Sequence, residues 1–327
     1  MTTGTSDSTP PADPDGEDRA RMLAAGLFTR AGALSAGSTA WSFRRSHRQL
    51  FHGVHVRRDD VVDEPRLNGA ALAISPRGSY LSHFSAARLF GGVVPDDPDV
   101  HVTSPRNRAK ARGIAGHRAK RNQQVTTWRG LRTTTPMQTF LDLAQVLTLV
   151  DLVVLGDSLV KRGRLTTEQL VAFVASSTGP HHRLATWAAA LVRKGVDSPM
   201  ESRLRLLIVL AGLPEPTVNH RIVDSDGQLV YRFDLCYLRY GLIIEYDGRQ
   251  HADSTEQWHH DVDRDEDLDD WQVRRLVVVS SGIYNTPGRT LSRITKAMRQ
   301  RGMTVPPLSD EWRRHFPSRA GDVTSPS

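Results

Sequence analysis

The sequence has almost nothing with which to cross-link itself. Cys236 is its one cysteine in 327 residues, which excludes a disulfide framework and any zinc site built on several thiolates. No apolar run reaches the about 18 residues that mark a membrane-spanning helix, so an integral membrane protein is excluded. The N-terminus is rich in Ser, Thr, Pro and Asp and lacks the apolar core of a secretory signal peptide. These absences point to a soluble, cytoplasmic protein. Its 39% hydrophobic residues suffice for packed cores. At roughly 100–200 residues per domain, its length suits two domains.

Charge is unevenly spread. Residues 1–18 carry five acids and no base, residues 19–195 carry 26 Lys and Arg against 11 acids, and residues 196–327 carry 17 against 20. The overall +7 therefore hides a strongly basic first two-thirds. A field of that sign attracts polyanions, and DNA is the common one. Solubility and a codon bias toward arginine are the alternative reading of the same composition.

Residues 1–18 read as a disordered acidic tail, without period and with low hydrophobicity. Residues 19–60 read as helix, turn, helix and hairpin. Thr29 caps a short helix, residues 36–38 break it, residues 38–46 form a second helix, and residues 49–57 alternate around Gly53 as a small wing would. A second helix bearing Arg44, Arg45 and Arg48 ahead of a wing is the pattern of a winged helix-turn-helix that contacts DNA. Its rival is a small helical lobe with a solvated basic face. Residues 61–195 read as a basic, mainly helical region. Within it, residues 100–103 form a short strand, and residues 104–121 carry seven Lys or Arg plus His117 and no acid. That stretch is expected to be a mobile loop or edge hairpin that meets phosphate, or simply a solvated loop.

Near residue 196 the pattern changes. Ser198, Pro199 and Glu201 make a capping-box start for a helix that ends at Gly212. Strands are expected at 217–223, 228–238, 242–246 and 272–279, with helices at 255–270 and 290–301. Residues 196–303 thus form an α/β sandwich, a mixed sheet flanked by helices, followed by a tail at 304–327.

The hairpin within it carries chemistry. A turn centred between Arg239 and Tyr240 places Asp234 opposite Glu245 and Arg232 opposite Asp247, all four on one face. Facing carboxylates destabilise a ladder unless a cation lies between them. A divalent ion suits hard oxygen ligands, and Arg232 is the competing answer. Cys236 lacks a base partner and reads as packing.

Glu201, Asp234, the run Glu245-Tyr246-Asp247-Gly248, then Gln250-His251 and Asp261 with Arg264 resemble the DUF559 family. That family is related to the very short patch repair endonucleases within the PD-(D/E)XK, restriction-endonuclease-like fold, and the resemblance covers about residues 197–302. Residues 27–29, 51–54 and 133–144 resemble, more weakly, AbiEi-like antitoxin or winged-helix regulators of actinobacteria. The nuclease resemblance implies that Asp234 and Glu245 bind Mg²⁺ or Mn²⁺ and that Glu201 completes the acidic cluster. It also implies that His251 moves a proton near the scissile phosphate and that Arg264 neutralises charge on it. The expected reaction is metal-assisted phosphodiester hydrolysis of DNA. One position departs from the motif: Asp247 stands where the family name requires lysine, which leaves the catalytic base unassigned although Asp247 could hold a water or a second ion.

Each residue also has a plainer reading. Glu201 caps its helix, Asp247 pairs with Arg232 or opens an Asp-Gly turn, His251 is solvated, and Asp261 with Arg264 is a surface pair. The alternative function is accordingly a non-catalytic DNA-binding regulator or antitoxin-type protein with a degenerate nuclease domain.

Overall fold

Threonine caps set the first elements. Thr29 and Thr39 are extended, and their side chains accept the N–H of Gly32 and Ser42 at 3.0 and 3.1 Å, starting α1 (Arg30–Ser35) and α2 (Ala40–Ser46). Antiparallel β1 (His47–Phe51) and β2 (Val54–Arg57) follow, turning at Gly53, whose φ of 81° favours glycine. The computed structural model describes residues 26–106, 111–223, 225–248, 268 and 270–317. The expected tail at 1–18 lies outside them.

Two compact units result. One runs from the N-terminal residues to Leu89 and takes in Asp96–Gln138; the other joins Phe90–Pro95 to the chain from Thr139 onward.

The first unit departs from the mainly helical expectation. After α3 (Glu64–Ala73) come β3 (Tyr80–Leu81), α4 (His83–Leu89), β4 (Val100–Ser104), β5 (Ile114–Arg118), β6 (Val125–Trp128) and β7 (Leu131–Thr134). The five strands form one mixed sheet in the order β5-β4-β3-β7-β6. β4 matches the strand expected at 100–103; the other four, two to five residues long, escape sequence reading because so short a run shows no period. Within the basic stretch, residues 114–118 form edge strand β5, parallel to β4. A real hairpin joins β6 to β7 through Arg129 and Gly130, both at positive φ, as a two-residue turn of this hand requires. The helical lobe and the sheet share one core, in which Phe51, Val54 and Val56 pack with Ala70, Leu81, Val100, Val102 and Ile114.

α5 (Pro136–Leu143) enters the second unit at Thr139, and α6 (Leu149–Lys161), α7 (Thr167–Ala175) and α8 (His182–Leu191) then precede α9 (Pro199–Leu210). α6 packs on both α8 and α9. Phe90 is buried here, its carbonyl accepting from Arg164 Nε at 3.1 Å, while the Val93 N–H donates to Ser158 Oγ at 2.9 Å. A Cβ on Gly156 of α6 would overlap Val192 and press on Phe140 at 3.2 Å. Gly156→Ala should therefore cost about 1–3 kcal/mol, read as a lower urea midpoint at unchanged slope.

The sheet of this unit has the order β11-β10-β9-β8, from β8 (Thr217–Val223), β9 (Leu229–Tyr237), β10 (Leu242–Tyr246) and β11 (Arg274–Val278). β8, β9 and β10 are antiparallel and β11 is parallel to β10, close to the expected bounds. Next come α10 (Ser280–Tyr284), α11 (Pro287–Gln300) and α12 (Glu311–His315). α9 packs on β9, β10 and α11, so helices flank a mixed sheet. Residues 304–317 are no loose tail: Trp312 and Phe316, one helical turn apart, are buried, and the Ser309 N–H donates to Ala211 O at 2.9 Å. The helix expected at 255–270 lies almost wholly outside the described residues. Among those residues, no helix is long and apolar enough to cross a membrane.

Candidate functional site: an acidic cluster and a basic surface

Glu201 enters from the first turn of α9. Ser198 caps this helix, its Oγ accepting the Glu201 N–H at 3.1 Å, with Pro199 at the first position. The returning carboxylate does not close on Ser198. Glu201 Oε2 accepts instead from the Asp197 N–H at 2.9 Å, one residue earlier, and the side chain is buried.

Asp234 and Glu245 come from β9 and β10. The observed pairs Tyr237↔Leu242, Cys236↔Ile243 and Leu235↔Ile244 are those of the anticipated register. The turn itself is a 3-10 segment, Leu238–Tyr240, closed by Gly241 at φ 56°. The ladder then stops one residue short of the acids. The next N–H, that of Tyr246, donates to the Asp234 carboxylate at 2.9 Å. Asp234 and Glu245 are thus neighbours without being a ladder pair. Burial, and then the charge of Glu201, push the Asp234 carboxyl up to about 6; the Glu245 charge adds to this, and the Tyr246 hydrogen bond and the Arg232 charge oppose it.

The cations are placed differently from the expectation. Arg232 was to lie opposite Asp247, between the acids. Its Nη1 meets Asp197 Oδ2 at 2.7 Å, while its charge still acts on Asp234. Glu245 is met by Arg275 Nε at 2.7 Å. Parallel pairing of Ile243 with Arg275 and Glu245 with Val277 puts all four side chains on one face, so the arginine reaches Glu245 on the diagonal. Asp197, passed over at the sequence level, also takes Lys161 Nζ at 3.0 Å and Asn219 Nδ2 at 2.5 Å. Burial alone would raise its carboxyl, but these hydrogen bonds and the two cations bring it below the usual carboxylate range. A serine-proline helix start was the signal that drew attention to Ser198. Nothing local marked the residue before it.

Asp247 follows β10, its N–H donating to Val278 O at 2.9 Å. His251, Asp261 and Arg264 lie outside the described residues. Cys236 is buried and its thiol is pushed up to about 11 by that burial, as packing requires. Among the described residues, Glu201, Asp234 and Glu245 do not all draw within 4.8 Å of one another.

The first unit offers a second candidate surface. Arg44 and Arg45 are exposed on the last turn of α2, with the Arg45 guanidinium 5.4 Å from the ring of Trp41, which is 71% exposed. Arg58 donates to the carbonyls of Arg44 and Arg45 at 3.2 and 3.3 Å and so finishes the helix. Beside it opens a cleft of about 530 Å³ lined by Arg45, Ser46, His47, Arg57, Arg58 and Asp59. Arg48 is not on the helix with the other two. It lies on β1, and its Nη2 donates to Asp60 O at 3.1 Å.

No family model matches the chain. Two uncharacterized proteins of Mycobacterium tuberculosis, one from strain CDC 1551 and one from strain H37Rv, are each 24% identical to it over 255 residues. In both cases the match covers 76% of this chain and 91% of the relative.

Proposed function

We propose that the protein is a metal-dependent DNA endonuclease. In this reading the second unit is a restriction-endonuclease-like domain of the DUF559 kind, and α1, α2 and the β1–β2 wing form a DNA-binding winged helix. The observation that carries it is the placing of Glu201, Asp234 and Glu245, from a helix and two adjacent strands, close enough that burial and the charges of Glu201 and Glu245 hold the Asp234 carboxyl above its usual range. Burial and two like charges outweigh the opposing charge of Arg232 at Asp234, and a carboxyl perturbed in this way is a pattern of functional carboxylates.

The donor set suits a hard divalent ion. All candidate ligands are carboxylate oxygens, and Mg²⁺ commonly uses one or two of them plus water and phosphate, so a gathering of three within 4.8 Å is not required. Asp234 and Glu245 would hold Mg²⁺ or Mn²⁺, with Glu201 behind them. When bound, such an ion polarises a phosphoryl oxygen and lowers the pKa of an attacking water. Asp247, at the end of β10, would orient water. The roles of His251 and Arg264 rest on their positions in the sequence. Incubation with plasmid and single-stranded DNA in Mg²⁺, Mn²⁺ or EDTA, beside Asp234→Ala, tests the reading. Cleavage that needs metal and disappears in the variant supports it.

A second reading, a DNA-binding regulator with a degenerate nuclease domain, draws on the Arg275–Glu245 pair, since Arg275 supplies part of the positive charge a metal would bring. Absence of cleavage with intact, salt-sensitive DNA binding favours it. Both readings share one expectation. Replacing Arg44 and Arg45 together by alanine should weaken binding about equally across sequences and lower the slope of log K against log salt by roughly 2, measured by fluorescence anisotropy.

A further inference from the structure

Three histidines far apart in sequence meet in the first unit. His101 lies on β4 and His117 on the neighbouring parallel strand β5. The register pairs His101 with Ala115 and Thr103 with His117, so both imidazoles stand on one face, two residues apart. His83 begins α4 directly behind β3, the strand on the other side of β4. Its φ of 48° is uncommon for a residue with a Cβ, and an uncommon backbone angle held in place often accompanies a site. Each of the three offers one ring nitrogen within 4.8 Å of the other two. His101 Nδ1 and His117 Nε2 are already 3.0 Å apart.

We propose that His83, His101 and His117 form a binding site for a borderline transition-metal ion of the Zn²⁺ class, with Asp97 orienting His101. The site is independent of the acidic cluster and of the nuclease reading. Two imidazole nitrogens on a tetrahedral ion, each at about 2.0–2.1 Å, stand about 3.3 Å apart. The 3.0 Å pair therefore needs to open by only a few tenths of an ångström. His83 has further to move. Its ring stacks on His117 at 3.8 Å with 13° between planes, so it must turn before its lone pair faces the same point. The Ser82 hydroxyl lies 2.9 Å from His83 Nδ1.

Neutral imidazole is the ligand form, and the surroundings favour it. His83 and His101 are buried, and burial is the first cause of lowered basicity in each. His83 is taken down to about 2, with His117, His101 and Lys120 adding to the effect. Around His101 the charges are mixed: Asp97 and Asp99 oppose the lowering and Arg88 reinforces it. The second nitrogen of His101, Nε2, lies 3.1 Å from Asp97 Oδ1, although the carboxylate sits off the N–H axis. A carboxylate behind the far nitrogen of a ligating histidine is the usual support of such sites. Three imidazoles favour Zn²⁺, Co²⁺, Ni²⁺ or Cu²⁺ over Mg²⁺, and three protein ligands leave a fourth position for water. An ion there would tie edge strand β5 to β4 and to the start of α4.

The test uses the full chain carrying Asp234→Asn, stripped with chelator, so that the acidic cluster does not compete. Titration with Co²⁺ should give one equivalent bound with the intense visible absorption of a tetrahedral site, displaced by Zn²⁺. His101→Gln should abolish that signal, and Asp97→Asn should weaken Zn²⁺ binding by roughly 10–100-fold. X-ray absorption at the zinc edge of the metal-loaded protein requires no histidine substitution and should show imidazole scattering from three ligands. Failure to bind one equivalent, a coordination shell of oxygen alone, or binding unchanged in a folded His101→Gln protein would each overturn the proposal.

Discussion

On the proposed nuclease reading, Asp234→Asn should lower DNA cleavage about 100-fold or more, and at the same time it should make the protein more stable above pH 6. The two effects have one cause. In the folded protein the Asp234 carboxyl is raised from 3.8 to about 6, by burial first and by Glu201 and Glu245 after it. A raised carboxyl binds its proton more tightly folded than unfolded, so its ionisation becomes a burden on the fold that grows from about pH 4 and is fully present above pH 6. The shift corresponds to about 3 kcal/mol at most, which disappears as pH falls through 6 toward 4. Asparagine keeps an oxygen for the Tyr246 N–H and removes the charge. Unfolding free energies of the two proteins should therefore diverge between pH 4 and pH 7, the variant being the more stable. Added Mg²⁺ should narrow the gap by stabilising only the parent. Equal stabilities across that range would mean that the acids do not press on one another, and the metal reading would lose its basis.

Asp157→Ala is expected to be the most damaging substitution away from the acidic cluster. Asp157 on α6 and Arg205 on α9 are both buried and meet at 3.0 Å. The same carboxylate accepts from Ser202 Oγ at 2.7 Å and from the Arg193 N–H at 2.7 Å. Arg205 also reaches Glu215 at 3.1 Å. Alanine would take the buried acid away from a buried guanidinium and leave it the more exposed Glu215, at a cost of about 3–5 kcal/mol. In a unit of this size that lowers the melting temperature by roughly 6–20 °C, which calorimetry would show. Combining Asp157→Leu with Arg205→Met should recover part of the loss, because no charge is then left alone. A single variant melting within a degree or two of the parent would exclude the pair as an anchor.

Legibility followed element length and the nearness of partners. α9 could be read from Ser198 and Pro199, and the β9–β10 register from alternation on either side of one turn, because those signals are local. The same reading placed Glu201, Asp234 and Glu245 on the elements that hold them. It could not find the partners. Arg275 meets Glu245 only through parallel pairing across a long connection, and Asp197 gathers Lys161, Asn219 and Arg232 from three separate elements. The five-stranded sheet of the first unit was missed for the same reason. A two-residue strand such as β3 has no period, and its place is decided by β4 and β7 on either side. Composition set a boundary at residue 196, yet contacts group the helices from Thr139 with the C-terminal sheet. Residues on either side of 196 share a core through Asp157 and Arg205, which no count of charges reveals.

The path of the chain between the units bears on how such a protein could arise. It crosses from one unit to the other three times, after Leu89, after Pro95 and after Gln138. A gene fragment beginning at residue 139 would leave behind Phe90, a large side chain that is fully buried in the second unit, together with the backbone groups that bind Arg164 and Ser158. The halves are consequently laced rather than strung end to end. Recombination at a single breakpoint could not trade one for a foreign module without opening a hole in the other.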